Sequence, residues 1–288
     1  MIANKKKAQL IANKKKAQRK FPFFTILFTV LFTVISIALI AWSFWGVSFD
    51  LSSLLTGIPK AGHYVREMFP SCWKNVVDIT SMCFGSKDKP SDVLQPLLET
   101  IQMAVVGTVL GAIPAFPLSF IAARTNSFFR PLSVLFKTFL NIGRAIPILV
   151  YAMIIITGLG LGKQTGAVAI GIGSFVMLCK LYAEALESVS PGPVEAVKAA
   201  GGNGLQVFVF AMLPQVFPSY LSSTLYSLEL NLQASFVLGL VGAGGIGFML
   251  QDALRVYNML EVGVLVFILI ILVNMVDYLS YRVRVIFS

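Results

Sequence analysis

The sequence predicts an all-α polytopic membrane protein with about six transmembrane helices. Hydrophobic residues make up 57% of the 288 residues and charged residues only 12%, which is more apolar than a soluble domain of this length. Stretches of about twenty apolar residues recur, and each is long enough to cross a bilayer as a helix. The expected spans lie near residues 23–45, 93–123, 140–157, 166–186, 205–228 and 259–281.

The N-terminal arm, residues 1–22, holds much of the basic charge of the chain. Eight of the 23 Lys and Arg residues lie there, in and just after an octapeptide that occurs at 2–9 and again at 11–18. In the rest of the chain 15 basic residues stand against 13 acidic ones. The net charge of +10 therefore comes mainly from the N-terminal arm and does not indicate a nucleic-acid-binding surface. Because basic residues favour the inner side of a membrane, we expect the arm to be cytoplasmic and to bind no nucleic acid.

The first span, residues 23–46, is predicted to be an uncleaved anchor because it is longer than the apolar region of a signal peptide. Residues 47–92 then form an external loop with five basic and five acidic residues. Cys72 and Cys83 lie in this loop, either joined as a disulfide in an oxidising compartment or both free. Six spans return the C-terminus to the cytoplasm, where the basic residues after the last span are favoured.

The sequence gives no support for an enzyme or for a nucleotide-binding site. His63 is the one histidine, and no acidic cluster has the spacing of metal ligands, so neither an enzyme nor a metal site is predicted. Gly242, Gly244 and Gly247 form a GxGxxG string, but it follows an apolar span and lacks the βαβ context of dinucleotide binding. We expect these glycines to allow a broken helix at membrane depth, close helix packing, or both.

A short polar helix is predicted at about 193–201, between the fourth and fifth spans. Gly192 is its expected N-cap and Pro193 its first residue, which places Glu195 at N3 with its carboxylate reaching back to the cap. Gly201 supplies the stop. Two turns of helix do not persist alone in water, so we expect it to pack on the bundle or on a partner. The alternative is an ordinary cytoplasmic turn.

This helix resembles the coupling motif of ABC importer permeases, since Glu195, Ala196 and Gly201 precede a Leu-Pro pair at the spacing of that family. Val197 and Ala211 depart from the family pattern, which has Ala and Ile there. Between about residues 99 and 284 the chain also resembles the permeases of phosphonate and phosphite importers, in the blocks Arg144–Val150, Lys180–Glu187, Leu213–Pro218, Val237–Gly247 and Asp277–Ser280.

The resemblance implies a type I ABC importer permease fold, with a permease core at 93–284 and both termini cytoplasmic. It implies a homodimer in a bacterial inner membrane, two cytoplasmic ATPase subunits that bind ATP and Mg, and an external binding protein that delivers a phosphonate, a phosphite or a related anion. The chain itself would hold no cofactor. Coupling to the ATPase would rest on Glu195, Ala196, Lys198 and Gly201.

Polar groups within the spans are the candidates for the substrate path, because a charge at membrane depth is costly and is retained for a reason. For an anion these are Arg144, Asn231 and Gln233, with the backbone amides of Gly242, Gly244 and Gly245. The family usually has Arg at position 233. Lys180 and Glu184, one helical turn apart, are expected to pair. Two alternatives stay open: an ABC permease for another small solute such as an amino acid, and a secondary transporter that needs no ATP.

Overall fold

The computed structural model describes residues 22–47, 50–68, 93–123 and 130–287, and all regular elements in these ranges are helices. Short π-helical segments at Val207–Met212 and Gly239–Ala243 flank the long helix α9. The helices in chain order are α1 Pro22–Gly46, α2 Leu51–Met68, α3 Leu94–Ala122, α4 Arg130–Ala145, α5 Ile148–Leu159, α6 Lys163–Glu187, α7 Pro191–Ala199, α8 Gly204–Gln206, α9 Leu213–Leu238, α10 Gly245–Arg255 and α11 Met259–Phe287.

Five helical stretches in the described ranges are long and apolar enough to cross a membrane, and α4 with α5 makes a sixth that is bent by 86°. The number agrees with the six predicted spans. The third span was predicted as one helix over 140–157, and this is wrong. Pro147 has no N–H to donate and disfavours helical geometry at the residue before it, so the chain leaves the helix after Ala145 and starts a new one at Ile148.

The fifth span is longer than predicted. It was expected to end near Leu228, before a cluster of polar residues, but the helical stretch runs from Gly204 to Ala243. The polar side chains do not end the helix because neighbouring helices satisfy them: Asn231 bonds to hydroxyl groups and Glu229 pairs with a cation. These residues therefore lie in the interior of the span and not at its external end.

The core of the bundle is the close contact between α3 and α6. Gly111 of α3 lies so near α6 that a Cβ atom there would be 2.5 Å from the Cβ of Ser174 and 2.6 Å from the backbone nitrogen of Phe175. Small residues allow such approach, and van der Waals packing then replaces the hydrophobic effect that is weak between helices in lipid.

Two tyrosines join α9 to this core. The rings of Tyr182 on α6 and Tyr220 on α9 are stacked with their centroids 4.2 Å apart. The Tyr182 hydroxyl lies 2.6 Å from that of Thr224, and the Tyr220 hydroxyl lies 3.4 Å from that of Ser119 on α3. Because each buried phenol has a partner, the aromatic surface is buried without an unsatisfied polar group.

The chain divides into two units, Met1–His63 and Tyr64–Ser288. In the first unit no residue in the apolar window of α1 is buried, as suits a helix that faces lipid.

Asp50 precedes α2, and hydrogen bonds from the side chains of Ser52 and Ser53 and from the Ser52 amide lower the pKa of its carboxyl to about 2. Helix α2 falls inside the segment predicted to be the external loop. Cys72 and Cys83, like the N-terminal repeat, lie outside the described residues.

Candidate coupling surface and transport cavity

The polar helix α7 begins two residues earlier than predicted. Its N-cap is Ser190 and Pro191 is its first residue, so Glu195 lies past the first turn and does not cap the helix. Proline is tolerated throughout this turn because its amides have no partner within the helix. The predicted role of Glu195 at N3 is therefore wrong, and its carboxylate is exposed.

The end of α7 is a Schellman motif. The amide of Gly201 donates to Lys198 O and that of Gly202 to Val197 O, both at 3.0 Å. Gly201 adopts φ +84°, the left-handed geometry that this motif needs at its position. The predicted glycine stop is confirmed, and it is made by residues next to one another in the chain.

Helix α7 is held against the base of α9 at its N-terminal end. The amide of Ser190 donates to Oε1 of Gln215 at 3.1 Å, while Nε2 of the same glutamine donates to Ala211 O at 2.7 Å. The half-buried Val194 and Val197 are its least exposed residues, and the neighbouring π-helical segment is the element it contacts most. One hydrogen bond and apolar packing therefore join α7 to the base of α9.

The other side of α7 carries no packing. None of its residues is buried, and Glu195, Ala196 and Lys198 are all exposed. The face offers a carboxylate and an ammonium beside small apolar side chains. Such a two-turn helix, fastened at its start and bare on one side, suits contact with another protein.

Lys137, for which the sequence predicted no partner, holds the end of α6 where the chain turns towards α7. Its Nζ lies 2.5 Å from Oε1 of Glu187, and both side chains are partly buried. The two residues are 50 positions apart, so no local pattern signals the pair. Lys180, expected to pair with Glu184, instead donates to Asn141 Oδ1 on α4 at 3.3 Å.

A cavity of about 210 Å³ lies where α4 and α5 bend, beside α6 and α9. Arg144 and Asn231, both predicted as path residues, line it together, and Arg144 is the one charged residue in its lining. The cavity has two further polar residues, Tyr151 and Ser174, which the sequence analysis did not predict. Both lie in predominantly apolar stretches, where no pattern marks them. The remaining lining residues are Gly143, Ile146, Ile148, Gly173, Val176, Met177, Leu230 and Ala234.

Asn231 is held in the wall of this cavity by hydroxyl groups from three helices. Its Nδ2 donates to Thr108 Oγ1 on α3 at 2.8 Å and to Ser174 Oγ on α6 at 2.7 Å, and Ser227 Oγ on α9 lies at 3.3 Å. The side chain is buried. Because the amide nitrogen is used in this way, the orientation of Asn231 is set before any solute enters.

The glycine-rich break lies elsewhere. The backbone has φ +98° at Gly242 and +90° at Gly244, so the predicted broken helix is present. The amide of Gly245 donates to Glu99 Oε2 at 3.3 Å and that of Ile246 to Thr100 Oγ1 at 2.9 Å. Glu99 also lies 3.4 Å from the ammonium of Lys163. Residues of α3 thus cap α10, and neither the three predicted glycines nor the exposed Gln233 line the cavity.

An ion pair joins α9 to α11 close to the cavity. Arg284 of α11 donates to Oε1 of Glu229, whose side chain is 14% exposed. The predicted fifth span ends near residue 228 and the sixth near 281, on opposite sides of the membrane, so this contact was not expected. The pair shows that both lie at one level, because α11 ends beside the interior of α9.

Three comparisons with known proteins agree with one another. A family model described as binding-protein-dependent transport system inner membrane component matches residues 115–287. The phosphite transport system permease protein PtxC of Stutzerimonas stutzeri is 32% identical over 254 residues, which cover 87% of this chain and 86% of that protein. The phosphate-import permease protein PhnE of Mycolicibacterium smegmatis is 34% identical over 84% of this chain and 43% of its own length.

A solved structure supports the same fold. An inward-facing form of the MetNI methionine ABC transporter contains a chain that superposes with a TM-score of 0.60 at 22% identity, covering 68% of this chain and 96% of that one. At this identity the likeness shows the fold alone. Together with the helical bundle and its exposed polar helix, the family match establishes that the chain belongs to the binding-protein-dependent transport system inner membrane components, and so is a multi-pass permease subunit of an ABC importer in the inner membrane.

Proposed function

We propose that this permease imports phosphite, a phosphonate or a related small phosphorus oxyanion. The observation that carries the cargo class is the lining of the cavity: one cation, Arg144, with the hydroxyl of Ser174 nearby and no carboxylate among the described lining residues. An anion gains from charge-assisted hydrogen bonds to a guanidinium. The names of the phosphite and phosphate permeases to which the chain is similar support the same class.

Coupling to ATP is proposed to run through α7. Glu195, Ala196 and Lys198 would contact a cytoplasmic ATPase that binds ATP and Mg, while Gly201 keeps the helix at its present length. The chain would need no nucleotide site of its own. Because Gln215 fastens α7 to α9, a push on α7 would act on the same helix that carries Asn231, about 24 Å further along at 1.5 Å per residue.

Two copies of this chain are proposed to enclose the path, with two ATPase subunits inside the cell and a binding protein outside. Arg144 is exposed in the single chain, so the cavity is open on one side, and a second copy would close it. Both termini would be cytoplasmic, which puts α7 on the side where ATP is available. The path needs little affinity of its own, since the binding protein selects the cargo.

The proposal is tested by gentle purification of the chain from its native membrane, with mass spectrometry of the proteins that remain bound. We expect stoichiometric ABC ATPase with the wild-type chain and with Asp252→Ala, a matched change of an exposed carboxylate on α10. We expect Glu195→Ala to insert normally but to lose most ATP-driven uptake. A wild-type chain that comes out alone would favour a secondary transporter, and uptake of methionine without phosphite uptake would favour an amino-acid permease.

A further inference from the structure

The ion pair between Glu229 and Arg284 places a carboxylate close to the proposed path of an anion. Glu229 immediately precedes Leu230 and Asn231, both of which line the cavity. Its own side chain turns to α11 and is largely buried, as the 14% exposure shows. Ionisable residues inside a membrane protein are costly and mark function more often than stability.

Without Arg284, the charge of the Glu229 carboxylate would repel an anion in the cavity even without direct contact. Two like charges about 10 Å apart in a partly buried setting, at an effective dielectric constant of about 20, repel enough to change an equilibrium roughly tenfold. Arg144 would then no longer dominate the potential of the cavity. A permease for anions therefore has a reason to neutralise Glu229 that a permease for neutral solutes lacks.

The geometry of the pair is not that of an optimised structural bridge. Arginine and carboxylate fit best as a fork, with two parallel hydrogen bonds. Here a terminal guanidinium nitrogen reaches one carboxylate oxygen, while Nε of Arg284 is buried without an acceptor among the described residues. The pair thus leaves a donor unsatisfied but still cancels the charge of Glu229 at the distance of the cavity.

We propose that Arg284 is a specificity-determining residue, which masks the charge of Glu229 so that Arg144 is the only uncompensated charge that an anion meets among the described residues of the cavity. The proposal rests on the proposed function, because masking matters only for anionic cargo. It differs from a role in stability in one respect. Loss of a structural pair lowers the amount of folded chain, whereas charge masking makes loss of Arg284 far more harmful than loss of Glu229 to transport by the chain that is folded and in the membrane.

The test compares uptake of radiolabelled inorganic phosphite by phosphorus-starved native cells that carry each variant of the full chain. Uptake is divided by the amount of chain in the membrane fraction. We expect Arg284→Gln to lower the maximal rate about tenfold, since Glu229 is then unmasked. Glu229→Gln should stay within about threefold of wild type, and the double variant Glu229→Gln with Arg284→Gln should recover to that level. Arg255→Gln, which unpairs an exposed Asp252 on α10, serves as the control and should match wild type.

Equal losses in both single variants, or a double variant as poor as Arg284→Gln, would overturn the proposal. If Arg284→Gln accumulates poorly, the fraction that does assemble is purified as the complete complex, with the double variant as reference. ATP hydrolysis stimulated by the binding protein should then be retained while transport of phosphite is lost, and a parallel loss of both would speak for a structural pair. A wild-type chain that transports no phosphite, phosphonate or phosphate would instead refute the proposed function.

Discussion

The end of α7 at Gly201 and the start of α10 at Gly244–Gly247 are both helix boundaries made by glycine, and they are built in opposite ways. A Cβ at Gly201 would meet no atom within 4 Å, and the boundary is closed by hydrogen bonds within the same short segment. A Cβ at Gly247 would lie 2.0 Å from Phe236 O, and the amides at the start of α10 are capped by Glu99 and Thr100 of α3.

The difference distinguishes a surface that is available to another protein from a junction that is packed between helices of this chain. Helix α7 keeps its shape through local hydrogen bonds, so its outer face is available to a partner. The break before α10 keeps its shape only through the packing of helices around it. Substitutions at the two sites should therefore differ in what they damage, activity at α7 and folding at α10.

The largest effect is expected for Gly247→Ala. The added methyl group would overlap backbone atoms of α9, which cannot move as a flexible side chain would, and overpacking of this kind costs about 3 kcal/mol or more. We expect the amount of folded chain in the membrane to fall about tenfold, measured by detergent extraction and size-exclusion chromatography. Gly204→Ala, at an open position on α8, is the control. Normal yields of Gly247→Ala would show that the joint is looser than its contacts indicate.

Gly201→Val should abolish uptake while leaving the chain in the membrane. A β-branched residue resists the φ of +84° found there, at a local cost of about 1–2 kcal/mol, so the stop of α7 is lost or displaced. Gly201→Asn tolerates the left-handed geometry and should keep most uptake. Phosphite uptake and membrane content are measured together. The contrast between the two sites fails if Gly201→Val reduces folding as strongly as Gly247→Ala does.

Thr100→Val tests the contribution of the cap at the start of α10. The variant keeps the shape of the side chain but leaves the buried amide of Ile246 without its acceptor, which costs about 1–3 kcal/mol. We expect a lower midpoint of thermal unfolding in detergent, by several degrees. Thr100→Ser retains the hydroxyl group and should unfold close to wild type. Equal midpoints for the two variants would mean that the cap contributes little.

The smallest effect is expected for Gln215→Ala, which releases Ser190 at the start of α7. One partly exposed hydrogen bond contributes about 0.5–1.5 kcal/mol, so the helix should remain but follow α9 less faithfully. We expect uptake per ATP hydrolysed to fall about twofold with unchanged thermal stability. Gln215→Glu retains an acceptor for the Ser190 amide but loses the donor to Ala211 O, so its comparison with Gln215→Ala separates the two hydrogen bonds. If uptake per ATP hydrolysed is unchanged in Gln215→Ala, then α7 is held against α9 by its apolar contacts alone.

The sequence alone determined the features whose causes lie close together in the chain. Runs of apolar residues predict spans because a helix must be long enough to cross the bilayer. The glycine stop of α7 could be predicted since a Schellman motif uses only adjacent residues. The start of α7 was misplaced by two residues because Pro191 and Pro193 both fit a first turn, and nothing local chooses between them.

Only the tertiary structure decided which polar groups meet. Asn231 binds Thr108 across 123 positions and the amide of Gly245 finds Glu99 across 146, separations over which no periodicity carries information. Arg144 and Asn231 share a cavity because the chain bends at Pro147, while the amide of Gly245, one of those that the sequence offered to a ligand, is bonded to Glu99 of α3. The physical reason is that hydropathy and helix signals act through neighbours in the chain, whereas satisfying a buried polar group depends on which helices pack side by side.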